Sequence, residues 1–366
     1  MFNSYLFRVI FIPAGVYVSV MFGGGAATGL EIAAYMSSNG PVGGLLAIGI
    51  IALIYIAVIF LCFELGRLYQ SYDYQSFSKL ILGKLFFLYE ITVTLAMLGV
   101  IAYSTTGGGT AFADLFGISR HLVTAIILVL VIYLLYKGRR LVEMTMVATT
   151  VLLLATALVL ALGTIYTHGD TISRQLQNTS IVFPDLANRV WVYAVAVTAF
   201  TPVLLFAARD LKTRKEVLFA AVACAVVISI PPVCMHLSYL SHYPEVLDKA
   251  IPNAWISGQV MPDLFTGFFV IILNIVILQT AVGSLQGIIE LADAWKIRQA
   301  GQGLGNRTHA GIATACLLVC MGLSVFGVQR LLGWMYEIYF WLFLAVFLLP
   351  LVSVGTYRIV RGQRPS

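Results

Sequence analysis

Long apolar runs separated by short polar gaps make up almost the whole chain. A helix needs about 20 apolar residues to cross a bilayer. Ten runs approach or exceed that length, at 9–37, 42–66, 82–106, 119–136, 141–166, 189–208, 215–240, 263–292, 308–327 and 331–357. They are continuously apolar and lack the two-residue alternation that a membrane barrel strand needs. The pattern predicts an all-α polytopic membrane protein with ten transmembrane helices. The first run is too long for a cleavable signal and has no small-residue cleavage site after it, so the first helix is expected to be retained.

Composition agrees. Of 366 residues, 60% are apolar and 10% charged, and the mean hydropathy is +0.95. A soluble fold needs a charged surface that these residues cannot supply. Soluble enzymes, disulfide scaffolds, disordered chains and nucleic-acid binders are thereby excluded. The net charge of +6 is informative about sidedness. With the N-terminus in the cytoplasm, 17 Lys and Arg fall on the inner side and 5 on the outer. The inner set includes Arg8, Arg67, Lys137, Arg209, Arg298, Arg358 and Arg364, and the outer set is Arg120, Arg174, Arg189, Lys249 and Arg330. That asymmetry predicts an even number of spans, both termini cytoplasmic, in a cytoplasmic (inner or plasma) membrane. The five cysteines fall within spans and read as packing residues. Asn178-Thr179-Ser180 matches a glycosylation sequon on the outer side.

One transmembrane domain divides into two halves of five spans, 1–166 and 189–358. An odd number of spans per half inverts one half relative to the other, as in transporter inverted repeats. The first span of each half is interrupted. Span 1 carries Gly23-Gly24-Gly25 and then Gly29, and glycine weakens a helix by about 1 kcal/mol per residue. Span 6 carries Pro202, which removes a backbone bond. Broken helices at matching positions of two halves point to a binding site.

Acids inside spans are costly and point to function. Glu31 follows the first break, Glu90 lies about two turns into span 3 and Glu337 about two turns into span 10. Thr94, one turn beyond Glu90, is placed to share its cavity. Glu64 and Glu143 sit near membrane edges, where pairing or solvation is expected. Thr280 and Ser284 share one face of span 8. With freed carbonyls near Met21 to Gly25 they form a candidate Na+ site, because Na+ takes oxygen ligands as other hard cations do. Around the second break lie Tyr193, Thr198, Phe200 and Thr201, an aromatic and polar set suited to a small zwitterion. The aromatic start of span 10, Trp334 to Trp341, reads as an interface belt and packing.

The architecture resembles the LeuT-type five-plus-five inverted repeat of the amino acid–polyamine–organocation superfamily. The stretch Val16 to Ile32 looks like the first helix of the YkvI-type membrane proteins, with Leu30 standing where that family has a polar residue. Thr280 to Gly287 looks like its eighth helix. The resemblance implies a secondary transporter with no cofactor beyond a coupling ion. It places the substrate on Phe22, Gly23, Gly24, Gly25, Ala26, Thr28, Thr198, Phe200 and Thr201, with Glu31, Glu90 and Thr94 added from the reading of intramembrane acids. It places Na+ on Thr280 and Ser284, to which the freed carbonyls of span 1 add Met21 and Gly24. Span 5 carries no lysine of the kind some proton-coupled relatives use, which favours Na+ over H+. The expected function is symport of a small organic solute, an amino acid or related zwitterion. The alternatives are a cationic solute neutralised by intramembrane Glu, or a sensor or channel on the same scaffold. The expected partners are a small molecule and the lipid bilayer. Zinc-protease, nucleophile-elbow and P-loop patterns are absent, so neither an enzyme nor a primary pump is expected.

Overall fold

The computed structural model describes residues 5–135, 139–179, 181 and 183–362. Lys137, Ser180 and Arg364 lie outside the described residues, as do the side chains of Arg139, Arg140 and Glu143. The described residues are almost entirely helical and contain no strand. In order they form α1 (Ile12–Met21), α2 (Gly24–Thr28), α3 (Leu30–Tyr35), α4 (Pro41–Tyr69), α5 (Tyr74–Leu82), α6 (Phe86–Phe116), α7 (Arg120–Tyr133) and α8 (Arg139–Leu176). Then come α9 (Phe183–Thr198), a 3-10 segment (Thr201–Ala208), α10 (Arg214–Tyr239), α11 (Pro252–Val260), α12 (Asp263–Ala300), α13 (Asn306–Ser324), α14 (Val328–Phe343) and α15 (Thr356–Arg361).

Seven helical stretches are each long and apolar enough to span a membrane. An eighth is the pair α9 plus the 3-10 segment, bent by 55°. Two shorter apolar helices, Phe7–Val18 and Arg120–Tyr133, fall at the first and fourth expected spans. Pro41 at the first turn of α4 and a capping box of Thr213 and Glu216 on α10 set two of the starts. Asp73 caps the amphipathic α5, accepting from the backbone N–H of Gln75 and Ser76 at 3.1 and 2.8 Å.

Several helices outrun their expected ends. α6 continues through Gly107-Gly108-Gly109 to Phe116. Those glycines serve close packing and not helix breaking. A Cβ on Gly108 would lie 2.6 Å from the Asn274 side chain, and one on Gly109 would lie 2.1 Å from the Thr124 hydroxyl. α8 bends at His168 (φ −128°, ψ 22°) and runs on to Leu176. α12 ends only at Gly301, in left-handed backbone at φ 69°.

α6 and α12 pack side by side, with α7 and α13 against them, while α4, α10, α1 and α9 form a second group. α14 packs on α6 and α9, and α8 on α10 and α12. Contacts gather the predicted inner charges at one end. Arg8 pairs with Glu216 at 2.6 Å, Arg67 pairs with Glu64 at 2.7 Å and donates to the Lys212 carbonyl at 3.3 Å, and Arg358 stacks on Tyr69. We refer to this as the basic end.

The first span breaks twice, where one break was expected. Phe22 (φ −94°, ψ 50°) and the extended Gly23 separate α1 from α2, and Gly29 (φ 82°) separates α2 from α3. Asn253 of α11 donates to the Ala27 carbonyl at 2.9 Å, and Tyr239 of α10 donates to the Gly29 carbonyl at 3.3 Å. A Cβ on Gly29 would stand 2.1 Å from the Tyr239 hydroxyl. Left-handed backbone alone costs a non-glycine residue about 1–2 kcal/mol. Gly29→Ala is therefore expected to lower the thermal midpoint of the purified protein by roughly 1–3 °C from strain alone, and further through the clash. Gly117→Ala, also left-handed (φ 68°) but in open space, separates the strain from the clash.

Candidate functional site

The two breaks meet across one cavity of about 320 Å³. Met21, Gly23, Gly24, Gly25 and Ala26 line it from the first break, and Ala196, Val197, Phe200 and Val203 from the second. α6 adds Met97, Val100 and Tyr103, α12 adds Gln279, Thr280, Gly283 and Ser284, and α14 adds Tyr336 and Tyr339. Among these lining residues Glu31 bears the sole formal charge.

Glu31 is 3% exposed. Its Oε1 accepts from the Tyr103 hydroxyl at 2.7 Å, and the hydroxyls of Tyr336 and Tyr193 also face the carboxyl group. Tyr35, Tyr193 and Tyr336 cluster beside Glu31, the last two stacked and Tyr35 tilted against both. Ring centroids are 5.7 Å apart for Tyr35–Tyr193, 4.9 Å for Tyr35–Tyr336 and 5.8 Å for Tyr193–Tyr336. Of the three, Tyr336 lines the cavity. Gly25 makes the approach of α6 feasible, since a Cβ on it would lie 2.1 Å from the Tyr103 hydroxyl and 2.5 Å from Glu31 Oε1.

The other expected residues divide into wall and frame. Phe200 is on the wall and sits edge-on against Phe343, centroids 5.9 Å apart. Thr198, Thr201, Thr28 and Phe22 are off the wall of this cavity. Thr201 donates to the Thr198 carbonyl at 2.6 Å and meets the Tyr17 hydroxyl at 2.8 Å, which ties the second break to α1. Tyr89 donates to the Ala199 carbonyl at 2.8 Å. Thr28 donates to the Gly25 carbonyl at 2.7 Å. These bonds satisfy backbone that the breaks leave unpaired, as burial in an apolar surrounding demands.

Met21, Gly24, Thr280 and Ser284 share the cavity wall. Thr280 Oγ1 accepts from the Gly24 N–H at 2.9 Å and donates to the Val276 carbonyl at 2.9 Å. In this conformation its oxygen therefore faces an N–H donor.

Glu90 and Thr94 lie elsewhere. Arg298 of α12 grips Glu90 with two bonds, at 2.9 and 2.8 Å, and Gln75 of α5 adds a third at 3.0 Å. Thr94 bonds back to the Glu90 carbonyl at 2.8 Å. This is a bidentate strut at the basic end, joining α5, α6 and α12. Arg298→Ala leaves a carboxylate 9% exposed without its cation. The expected loss is about 1.5–3 kcal/mol, lessened by the partial exposure of Arg298. Thermal unfolding of Arg298→Ala, Glu90→Gln and the double variant checks it. The double variant should be more stable than Arg298→Ala alone.

Sequence reasoning missed Tyr103, Asn253 and Arg298, and read Tyr336 and Tyr339 as belt and packing residues without placing them on the cavity. Trp334 and Trp341 are exposed as a belt requires, whereas the two tyrosines are buried and turn inward. Glu337 is exposed. The glycine triplet beside Tyr103 was the available signal, because it marks where other backbones approach α6.

No protein-family model matches the sequence, and no curated protein matches it. Solved structures do. The chain is similar to MhsT in complex with L-phenylalanine, at 18% identity and TM-score 0.60, over 89% of this chain and 81% of that one. It is similar to the inward-facing conformation of Mhp1, at 14% identity and TM-score 0.51, over 99% and 78%. It is also similar to a substrate-bound, outward-open Na+-coupled sialic acid symporter, at 14% identity and TM-score 0.50, over 99% and 97%. Identities this low define the fold. The chain is a polytopic membrane protein with the LeuT-type fold, nearly all helical over the described residues and broken in its first and sixth spans.

Proposed function

We propose that this chain is a secondary active transporter that carries a small organic solute bearing an amino group, driven by a cation gradient. One observation supports this most: a single carboxylate, Glu31, stands in a mostly apolar cavity where two broken helices meet. Breaks of this kind bring backbone dipoles to a midplane site. An amino group is common to the zwitterion and the cation expected from the sequence. The cavity's size lies within the range of small-molecule sites. Fold neighbours described as a Na+-coupled symporter and as a complex with L-phenylalanine agree with the reading. Membership among YkvI-type proteins belongs to the same proposal and rests on the stretches around Gly25 and Thr280.

In this reading the halves 1–166 and 189–358 are inverted repeats. α1–α4, α9 and α10 rock against α6, α7, α12 and α13. The basic end faces the cytoplasm, with both termini there. Na+ is the favoured coupling ion, on Met21, Gly24, Thr280 and Ser284, with H+ as the alternative. Thr280 Oγ1 accepts the Gly24 N–H with one lone pair and keeps a second for a cation. Uptake into proteoliposomes under an imposed Na+ or pH gradient tests the coupling. Accumulation driven by Na+ and lost in Thr280→Ala supports this assignment. Accumulation driven by pH alone transfers it to H+, and accumulation under neither gradient overturns coupled transport.

A further inference from the structure

We infer that the solute is an organic ammonium with an apolar body and no carboxylate, held by its N–H groups on Glu31. The inference deepens the transport reading and rests on it for the solute's passage, though not for its binding. Three observations carry it. First, Glu31 lies in the cavity without a cationic side chain among the lining residues. Arg8, Arg67 and Arg298 each bind another acid, Glu216, Glu64 and Glu90. The groups that face Glu31 from α6, α9 and α14 are the phenol hydroxyls of Tyr103, Tyr193 and Tyr336. Each has one proton to donate, and a buried carboxylate with donors but no counter-charge is suited to a cationic ligand.

Second, the carboxyl group lies against Gly25, at the first break. The chain has thus placed its own negative charge where the freed backbone is. A solute carboxylate reaching the same break would meet a like charge. Third, the rest of the wall is shaped for an apolar body. Met21, Met97, Val100, Phe200, Val203 and Tyr339 line the same cavity as Glu31. Methionine thioethers and aromatic faces accept alkyl, aryl and alkylammonium groups alike.

Three probes with one ring separate the charges: phenethylamine (amine alone), L-phenylalanine (amine and carboxylate) and 3-phenylpropionate (carboxylate alone). Binding to the purified full-length protein is measured by calorimetry, for the wild type and Glu31→Gln. The expected result is phenethylamine binding at least tenfold tighter than L-phenylalanine, no binding of 3-phenylpropionate, and at least thirtyfold weaker phenethylamine binding in Glu31→Gln. Tighter binding of either carboxylate, phenethylamine binding indifferent to Glu31→Gln, or no binding of any probe overturns the inference. Counterflow in liposomes is read separately. Phenethylamine that binds through Glu31 without exchanging removes the transport reading and leaves this one. L-phenylalanine that exchanges where phenethylamine does not removes this one and leaves transport.

Discussion

Glu31→Gln is expected to abolish transport while leaving the protein as stable as the wild type or more so. Glutamine keeps the shape of the side chain and can still accept from the Tyr103 hydroxyl, now 2.7 Å from Glu31 Oε1. What it loses is charge. In the folded protein that charge lacks a cationic partner among the cavity residues, so removing it relieves an unfavourable burial. In the loaded protein, on the proposed reading, the charge is the solute's counter-ion. Losing a buried contact of that kind by about 2.7 kcal/mol is a roughly 100-fold loss of affinity. Uptake and thermal unfolding measured on the same preparations check both halves. Retained uptake with a lowered thermal midpoint would make Glu31 a structural residue.

Gly25→Ala is the second large effect. The added methyl group would lie 2.1 Å from the Tyr103 hydroxyl, 2.4 Å from its ring and 2.5 Å from Glu31 Oε1. The tyrosine ring is buried and lines the cavity on one side, so the cavity is the one direction in which close packing leaves it room. Either the ring is driven into the cavity or α2 is pushed off α6, and both disrupt the carboxylate's hydroxyl contacts. Uptake should fall to background. Gly15→Ala, on the same span with nothing within 4 Å of its added Cβ, should leave uptake unchanged. Adding Tyr103→Ala to Gly25→Ala should restore part of the solute binding, since it removes the clashing ring and keeps the carboxylate. If Gly25→Ala transports normally, the close approach of α6 to the first break does not shape the site.

The spans were legible because a bilayer demands about 20 apolar residues in succession, and few other constraints write so plainly in a sequence. Glu31 was legible for the same reason, as a charge where charge is costly. The breaks were legible from Gly23-Gly24-Gly25 and Pro202. Gly29 reads as part of the same interruption; its separate left-handed turn was not legible, because nothing in the sequence fixes the backbone of a single glycine. Tertiary facts stayed hidden. Glu90 and Glu31 look alike in sequence, but Glu90 has a cation 208 positions away, on Arg298. Tyr336 and Trp334 are two residues apart, and the rotation of α14 turns one toward Glu31 and the other outward. Nothing local to either residue carries that rotation. It is set by packing on α6 and α9.

The central claim is that the cavity between the two breaks is the solute site of a carrier. Counterflow tests it most directly. Proteoliposomes containing the full chain are loaded with unlabelled phenethylamine and diluted into a trace of the labelled compound, with no ion or voltage gradient. The account predicts transient accumulation of label inside, present in the wild type and absent in Glu31→Gln. Binding of phenethylamine without any accumulation would contradict it and identify a sensor, and accumulation equal in the wild type and Glu31→Gln would place the solute elsewhere.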